Sequence, residues 1–228
     1  MNIGFIIADE FEFAPVKAFA QKNGDMTSDF YGMELLEFGL GEHDISAVLC
    51  GIGKVNAAFA ASALIFVKKC RTIYNFGLSG AIAGVKKDDI VMGDTFIEHD
   101  FDLTPLGFSP GQKPGSDDNT IKSNVRLKNE INRIFPDIKN VNFVTGDQFI
   151  ASSARKKELV NSFDANAVDM ESAAIAYICR AAEVPFLSLR SISDDADENA
   201  DEVYTEENEK MKSTLFDTVK FLIENGVC

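Results

Sequence analysis

Phe186 to Leu189 form a short run behind Pro185, apolar at every position except Ser188. A run without polar alternation reads as a strand buried on both faces, the kind found in the middle of a parallel sheet covered by helices. Directly after it stand Arg190, Ser191, Ser193 and Asp194. In open α/β sheets, ligands gather outside the carboxyl ends of the strands. These polar residues therefore stand where chemistry is expected. Taken locally, the pattern is better explained by a helix cap at Ser193 or Asp194 with Arg190 paired to it. The rest of the chain decides between the two.

Strand and helix patterns alternate from end to end. Ile3 to Ala8 predicts a first buried strand, and Phe13, Val16, Phe19 and Ala20 predict a helix after it, ending near Gly24. Glu10 and Glu12 fall in its first turn, where acidic side chains suit the helix dipole. Gly32 to Phe38 and Ile45 to Leu49 read as strands around a polar turn, Gly41 to Asp44. Cys50-Gly-Ile-Gly-Lys-Val-Asn56 then runs into an Ala-rich helix ending near Lys69. Its glycines allow a sharp strand-to-helix turn, and such a turn at a helix N-terminus is a common anion site. It lacks the spacing and the hydroxyl of a P-loop, so tight packing and ligand contact both remain open. Thr72 to Gly77 predicts a strand ending in a second glycine-rich turn, Gly77 to Gly84, and Asp88 to Glu98 predicts another strand.

Residues 105–120 form a long loop rich in Gly, Pro and Asp, of the kind that serves as a lid or an interface. Helix patterns cover Val125 to Ile134, Lys156 to Phe163 and Ser172 to Ala182; strand patterns cover Val141 to Thr145 and Asn166 to Val168. A last amphipathic helix, Glu206 to Glu224, places Met211, Leu215, Val219 and Leu222 on one face. No repeat or composition break divides the chain. The expectation is a single α/β domain over residues 1–228, with a central mixed, mostly parallel sheet.

Composition narrows the partners. A formal net charge of -14 argues against nucleic acid, which needs clustered Lys and Arg. Much of the acidity lies between Asp194 and Glu209 and is expected on a solvated surface. Cys50, Cys70, Cys179 and Cys228 match no zinc pattern and read as reduced, mostly structural thiols. With His43 and His99 as the only histidines, a multi-histidine metal site is not expected. The N-terminal stretch lacks a basic n-region, and no apolar run is long enough for a bilayer. The expectation is a cytoplasmic protein without membrane partners.

Several strand-end segments now form an ordered set: Ile3 to Glu12, Gly51-Ile-Gly-Lys-Val55, Asn75 to Gly84, Asp100 to Gly115, Gly146-Asp-Gln-Phe-Ile150, Val168-Asp-Met-Glu171 and Arg190-Ser-Ile-Ser-Asp194. In order and spacing the set resembles the 5′-methylthioadenosine/S-adenosylhomocysteine nucleosidases, a branch of the purine nucleoside phosphorylase superfamily. The likeness covers nearly the whole chain. It implies a three-layer α/β/α fold, a homodimer, and hydrolysis of the bond joining adenine to ribose without metal or cofactor.

The resemblance also implies roles. Glu12 matches the carboxylate that activates water, and Arg190 an arginine near that water. Glu171 matches the carboxylate that holds the ribose hydroxyls, with Met170 beside the sugar. Asp194 matches the acid that protonates N7 of adenine, supported by Ser193. Phe149 matches the aromatic that stacks on the base, and the Ile150 backbone the position that reads adenine. Ser79 and Gly80, in the second glycine-rich turn, complete the substrate-binding set together with Asp9. The chemistry agrees: breaking a glycosidic bond builds positive charge on the sugar and negative charge on the leaving group, and carboxylates in separate roles answer both.

Three positions depart from the family pattern. Asp9 stands where methionine is usual, Leu78 where serine is usual near the water or phosphate site, and Leu106 where phenylalanine is common in the 5′-substituent pocket. A phosphate-dependent phosphorylase is the main alternative enzyme, but Leu78 removes a hydroxyl from the anion site and Glu12 would repel phosphate. A non-catalytic nucleoside-binding protein on the same fold is the alternative outside enzymes. The presence of all three carboxylates weighs against it.

Overall fold

The computed structural model describes residues 1–115, 119–198, 200 and 209–228. Ten strands join one mixed sheet: β1 (Asn2–Ile7), β2 (Met26–Phe30), β3 (Met33–Leu40), β4 (His43–Leu49), β5 (Thr72–Ala81), β6 (Ile90–Glu98), β7 (Ile121–Lys122), β8 (Lys139–Thr145), β9 (Ala167–Asp169) and β10 (Phe186–Asp194). Parallel ladders run through its middle, β4 to β1 to β5 to β10. The strands β3 and β2 extend one side antiparallel. On the other side the sheet closes on itself. The strand β10 pairs with β6, β6 with β8, β8 with β9, and β9 returns to β5.

Helices cover both faces, giving three layers. The helices α2 (Lys54–Phe66) and α5 (Ser172–Ala181) lie on one face, and α1 (Glu10–Lys22), α3 (Val125–Ile134) and α6 (Glu209–Glu224) on the other. Their alanines explain the first pair: Ala57, Ala60 and Ala61 on α2 and Ala173 and Ala176 on α5 are buried, so the two helices pack on each other and on the sheet. The opposite core is built on longer side chains, Phe13 and Val16 from α1, Leu127 and Ile131 from α3, Leu215 and Phe216 from α6. The helix α4 (Ser153–Phe163) buries Leu159 in a smaller cluster under the strand ends.

Two strands run further than hydropathy predicts. The strand β5 continues through Gly77 to Ala81, where a turn is expected, and β10 continues through Arg190 to Asp194, past the strand end expected at Leu189. Ladder bonds hold both extensions, with Arg190 facing Gly77 and Asp194 facing Gly80 in register. The edge strand β2 is not foreseen, because it is exposed at all positions but Phe30. The turn expected over Gly41 to Asp44 shrinks, since β4 already begins at His43. Ser188, the polar break in its run, is buried and bonds to Ser172 Oγ at 2.8 Å.

The Glu206 to Asn208 start expected for the last helix, the Met211 side chain, residues 116–118 of the long loop and most of the acidic stretch lie outside the described residues. Within the loop, Thr104–Leu106 makes a single 3-10 turn. All four cysteines are free, three of them buried. No described helix is long and apolar enough to cross a membrane.

Candidate active site

A cavity of about 320 Å³ opens at the carboxyl ends of β1, β5, β9 and β10 and at the N-termini of α1 and α5. Its size falls within the range of small-molecule sites. Every residue assigned to catalysis or substrate binding in the sequence lines it: Glu12, Arg190 and Asp194, then Glu171, Met170, Phe149 and Ile150, then Ser193, Ser79, Gly80 and Asp9. Leu78 lines it as well, whereas Leu106 does not and is largely exposed.

Glu12 is placed by α1. Asp9 is the N-cap, its Oδ1 accepting from Phe11 N at 2.8 Å. A glutamate three residues past such a cap commonly bonds back to the cap's own N–H. Glu12 instead turns inward, is 6% exposed, and accepts from Leu78 N at 2.7 Å. It is therefore not a surface residue balancing the helix dipole. Burial lifts its carboxyl from the usual 4.5 to about 7, against the pull of the Arg190 guanidinium and the Leu78 N–H. Arg190 thus favours the ionised form, but burial outweighs it. A carboxyl poised near pH 7 is suited to taking up and releasing a proton under neutral conditions. Its Oε2 and Ser79 Oγ are buried without a hydrogen-bond partner among the described residues. Such orphaned groups are costly, and a bound molecule in the cavity would satisfy them.

Arg190 is 1% exposed, and a charge that deeply buried needs partners. Its Nη2 lies 3.0 Å from Asp169 Oδ2 and 3.3 Å from Glu171 Oε2, and donates to Asn75 Oδ1 at 2.6 Å. Gly77 makes room for this cluster: a Cβ there would come within 2.6 Å of Glu12 Oε2 and 2.7 Å of Arg190 Nη1. Asp169 does further work. Its Oδ1 accepts from Thr145 Oγ1 at 2.6 Å and from the Ser172 amide at 3.3 Å, and its Oδ2 accepts from Ser172 Oγ. Asp169 thereby satisfies the N-terminus of α5 and backs Arg190 at once.

Glu171, at the N-cap position of α5, makes no cap bond of its own to that helix. Its Oε2 faces Arg190 and its Oε1 accepts from Gly53 N at 3.0 Å. Burial raises its carboxyl, and Arg190 opposes the rise. The glycine turn before α2 does meet an anion, then, but the anions are the chain's own carboxylates. Lys54 N, the next amide, donates to Asp147 Oδ1 at 2.8 Å.

At the other end of the cavity Asp194 is 5% exposed. Its Oδ2 accepts from Ser193 Oγ at 2.6 Å and its Oδ1 from Ala196 N at 2.8 Å. A Cβ on Gly80 would sit 3.1 Å from Asp194 Oδ1. Gly77 and Gly80 therefore mark the Glu12 and Asp194 ends of the cavity along β5, roughly 10 Å apart at the usual strand rise. Phe149 borders the cavity half exposed and Ile150 buried, both carried by the segment that follows β8.

Asp169, Asn75 and Asp147 are the functional neighbours that sequence reasoning does not single out. For Asp169 a signal exists, since it belongs to the same acidic segment as Glu171. Asn75 lies inside an apolar strand and Asp147 in a loop, and only their partners reveal them.

The chain matches the family model described as the phosphorylase superfamily over residues 2–223. It is 37% identical over 168 residues to a 5′-methylthioadenosine/S-adenosylhomocysteine nucleosidase of an Exiguobacterium species, covering 71% of this chain and 72% of that one. It is 29% identical over 211 residues to an aminodeoxyfutalosine nucleosidase of Helicobacter pylori, covering 86% and 91%. A solved structure of a futalosine hydrolase mutant from Helicobacter pylori superposes with a TM-score of 0.93 at 26% identity, over 99% of both chains.

Proposed function

Because the chain belongs to the phosphorylase superfamily and, within it, to the 5′-methylthioadenosine/S-adenosylhomocysteine nucleosidases, we propose that this nucleosidase acts on a 5′-substituted adenosine, releasing adenine and the free ribose derivative. The observation that carries the reading is one cavity with Glu12 and Glu171 beside Arg190 and with Asp194 at its far end. Glu12 takes a proton from water as the water oxygen bonds to C1′ of the ribose. The bond from C1′ to adenine breaks, and Asp194 delivers a proton to N7 so that the base leaves neutral. Glu171, with both oxygens held by the protein, accepts the ribose hydroxyls and fixes the ring. Met170 packs beside the sugar, Phe149 stacks on the base, and the Ile150 backbone reads its edge.

Water rather than phosphate is the nucleophile in this reading. Among the described residues, Arg190 is the single Lys or Arg lining the cavity, and Asp169 and Glu171 already engage it. Leu78 offers no hydroxyl. A phosphate dianion would find no uncommitted cation and would face Glu12.

The relative named as an aminodeoxyfutalosine nucleosidase motivates a second reading, with aminodeoxyfutalosine as the substrate. One panel separates the readings: methylthioadenosine, adenosylhomocysteine, aminodeoxyfutalosine and adenosine, each with and without phosphate. Free adenine with free sugar supports hydrolysis. Ribose 1-phosphate formed only with phosphate would replace it by phosphorolysis. Adenine bound without turnover would leave a binding protein.

We take the chain as one domain, since every strand joins one sheet, and as a cytoplasmic homodimer. The stripe Ile52, Val55, Phe59 and Phe66 at the start and along α2 is exposed, as are Tyr31 and Leu106. A second copy covering that stripe would bury it. Light scattering at micromolar concentration is expected to give the mass of a dimer, and a monomer would count against this assembly.

A further inference from the structure

Gly53 has φ 101 and ψ 161, a conformation that excludes an ordinary side chain, and it begins α2 without any side-chain cap of its own. The cap comes from a segment far along the sequence. Asp147 Oδ1 takes the Lys54 amide at 2.8 Å, and a Cβ on Gly53 would meet the same oxygen at 3.0 Å. Asp147 is itself held, because its amide donates to Asp100 Oδ2 at 2.9 Å. Asp100 Oδ1 then receives the Lys54 ammonium at 2.6 Å. The contacts form a closed ring: Lys54 backbone, Asp147, Asp100, Lys54 side chain. Lys54 Nζ also reaches Glu98 Oε2 at 3.0 Å.

What this ring fixes is the start of α2, and one amide earlier sits Gly53 N, which holds Glu171 Oε1. From this arrangement we infer that Asp147 is a positioning residue for Glu171, acting as the missing cap of α2 and thereby aiming the Gly53 amide. Asp147 also begins the segment that carries Phe149 and Ile150. The ring thus sets the sugar-holding carboxylate and the base-reading segment in one fixed relation. Asp147 does not line the cavity, and its role passes through the backbone of α2.

The inference rests on the reading of Glu171 as the group that holds the ribose hydroxyls. The experiment compares kcat/KM for 5′-methylthioadenosine and its 2′-deoxy and 3′-deoxy analogues in the wild type, Asp147→Ala and Asp147→Asn, with melting temperatures alongside. The wild type should prefer the full ribonucleoside. In Asp147→Ala, kcat/KM for the ribonucleoside should fall about tenfold while the deoxy analogues change little, so that the preference narrows by a similar factor. Asp147→Asn keeps an oxygen for the Lys54 amide, and asparagine caps as well as aspartate, so it should restore the preference to within about twofold. A merely structural residue would lower every substrate together and leave the ratio alone. A wild type that prefers the ribonucleoside, paired with an Asp147→Ala variant that prefers it equally, overturns the inference and spares the reading of Glu171. A wild type without preference removes that reading and the inference with it.

Discussion

The two ends of the cavity are built on different principles. At the end proposed for the sugar, Glu12, Asp169 and Glu171 surround one arginine, every group is buried, and nearly every oxygen is already engaged by protein. At the base end, Asp194 has no ion-pair partner among the described residues and is held by one hydroxyl and one amide, next to a phenylalanine that is half exposed. Charge built in before substrate arrives suits stabilisation of a developing positive sugar, because preorganised groups need no rearrangement at the moment of reaction. In the proposed reaction the base itself completes the other end. Electrostatic work in that reaction falls to one end and recognition with proton delivery to the other.

The largest effects should come from the carboxylates that bracket the cavity. Glu12→Gln and Asp194→Asn are each expected to keep the fold and lower kcat by ~10²–10⁴-fold. A nitrophenyl riboside, whose leaving group needs no proton, should rescue Asp194→Asn and leave Glu12→Gln inactive. Equal rescue of both would erase the division between the ends.

Titration sharpens the contrast next. With its carboxyl near pH 7, Glu12 is ionised above that value and protonated below it. The acid limb of kcat/KM should therefore lie near pH 7. The same shift acts on stability. A carboxyl raised by folding binds its proton more tightly in the native state, so stability declines as pH rises from the unfolded value near 4.5 through about 7, and the loss is complete above that. Glu12→Gln avoids the loss and should be more stable than wild type above pH 7, by at most about 3 kcal/mol. Denaturant melts at a series of pH values test this. A difference that does not shrink towards pH 4.5 would show that burial does not govern Glu12.

Smaller effects belong to the open end. Phe149→Ala should raise KM about tenfold, the scale of stacking on one base, with little change in melting temperature because the ring is already half exposed. A large fall in melting temperature with unchanged KM would make Phe149 a packing residue.

Asp9 should give the smallest effect. It lines the cavity where methionine is usual in the family, and one of its oxygens caps α1, so only Oδ2 is left to meet a 5′ group. Asp9→Asn preserves the cap, and any shift between 5′-hydroxyl and 5′-methylthio substrates should stay below about tenfold. Identical selectivity would reduce Asp9 to its cap.

The order of strands and helices was legible because buried runs such as Ile3 to Ile7 and amphipathic helices such as α3 carry their period in plain hydropathy. Strand ends were not legible where function placed polar residues inside. Arg190, Ser193 and Asp194 read as lying beyond the strand because polarity normally signals water, yet all three are buried inside it. Gly77 and Gly80 read as a turn because glycine normally signals one, yet here they clear space for Glu12, Arg190 and Asp194. The residues that line the cavity were visible as an ordered set of motifs. Their supports, Asp169, Asn75 and Asp147, lie inside the same segments, but their part was not legible, because a supporting role lies in contacts made across the chain.

The closure of the sheet has a kinetic consequence. The last strand in sequence, β10, is inserted between β5 and β6, and Glu12 must wait for Arg190 to travel the length of the chain. Loop closure over such separations is slow to nucleate. A contiguous fragment holds both bracketing carboxylates only if it reaches from Glu12 to Asp194, so recovery of nucleosidase activity during refolding would time the insertion of β10.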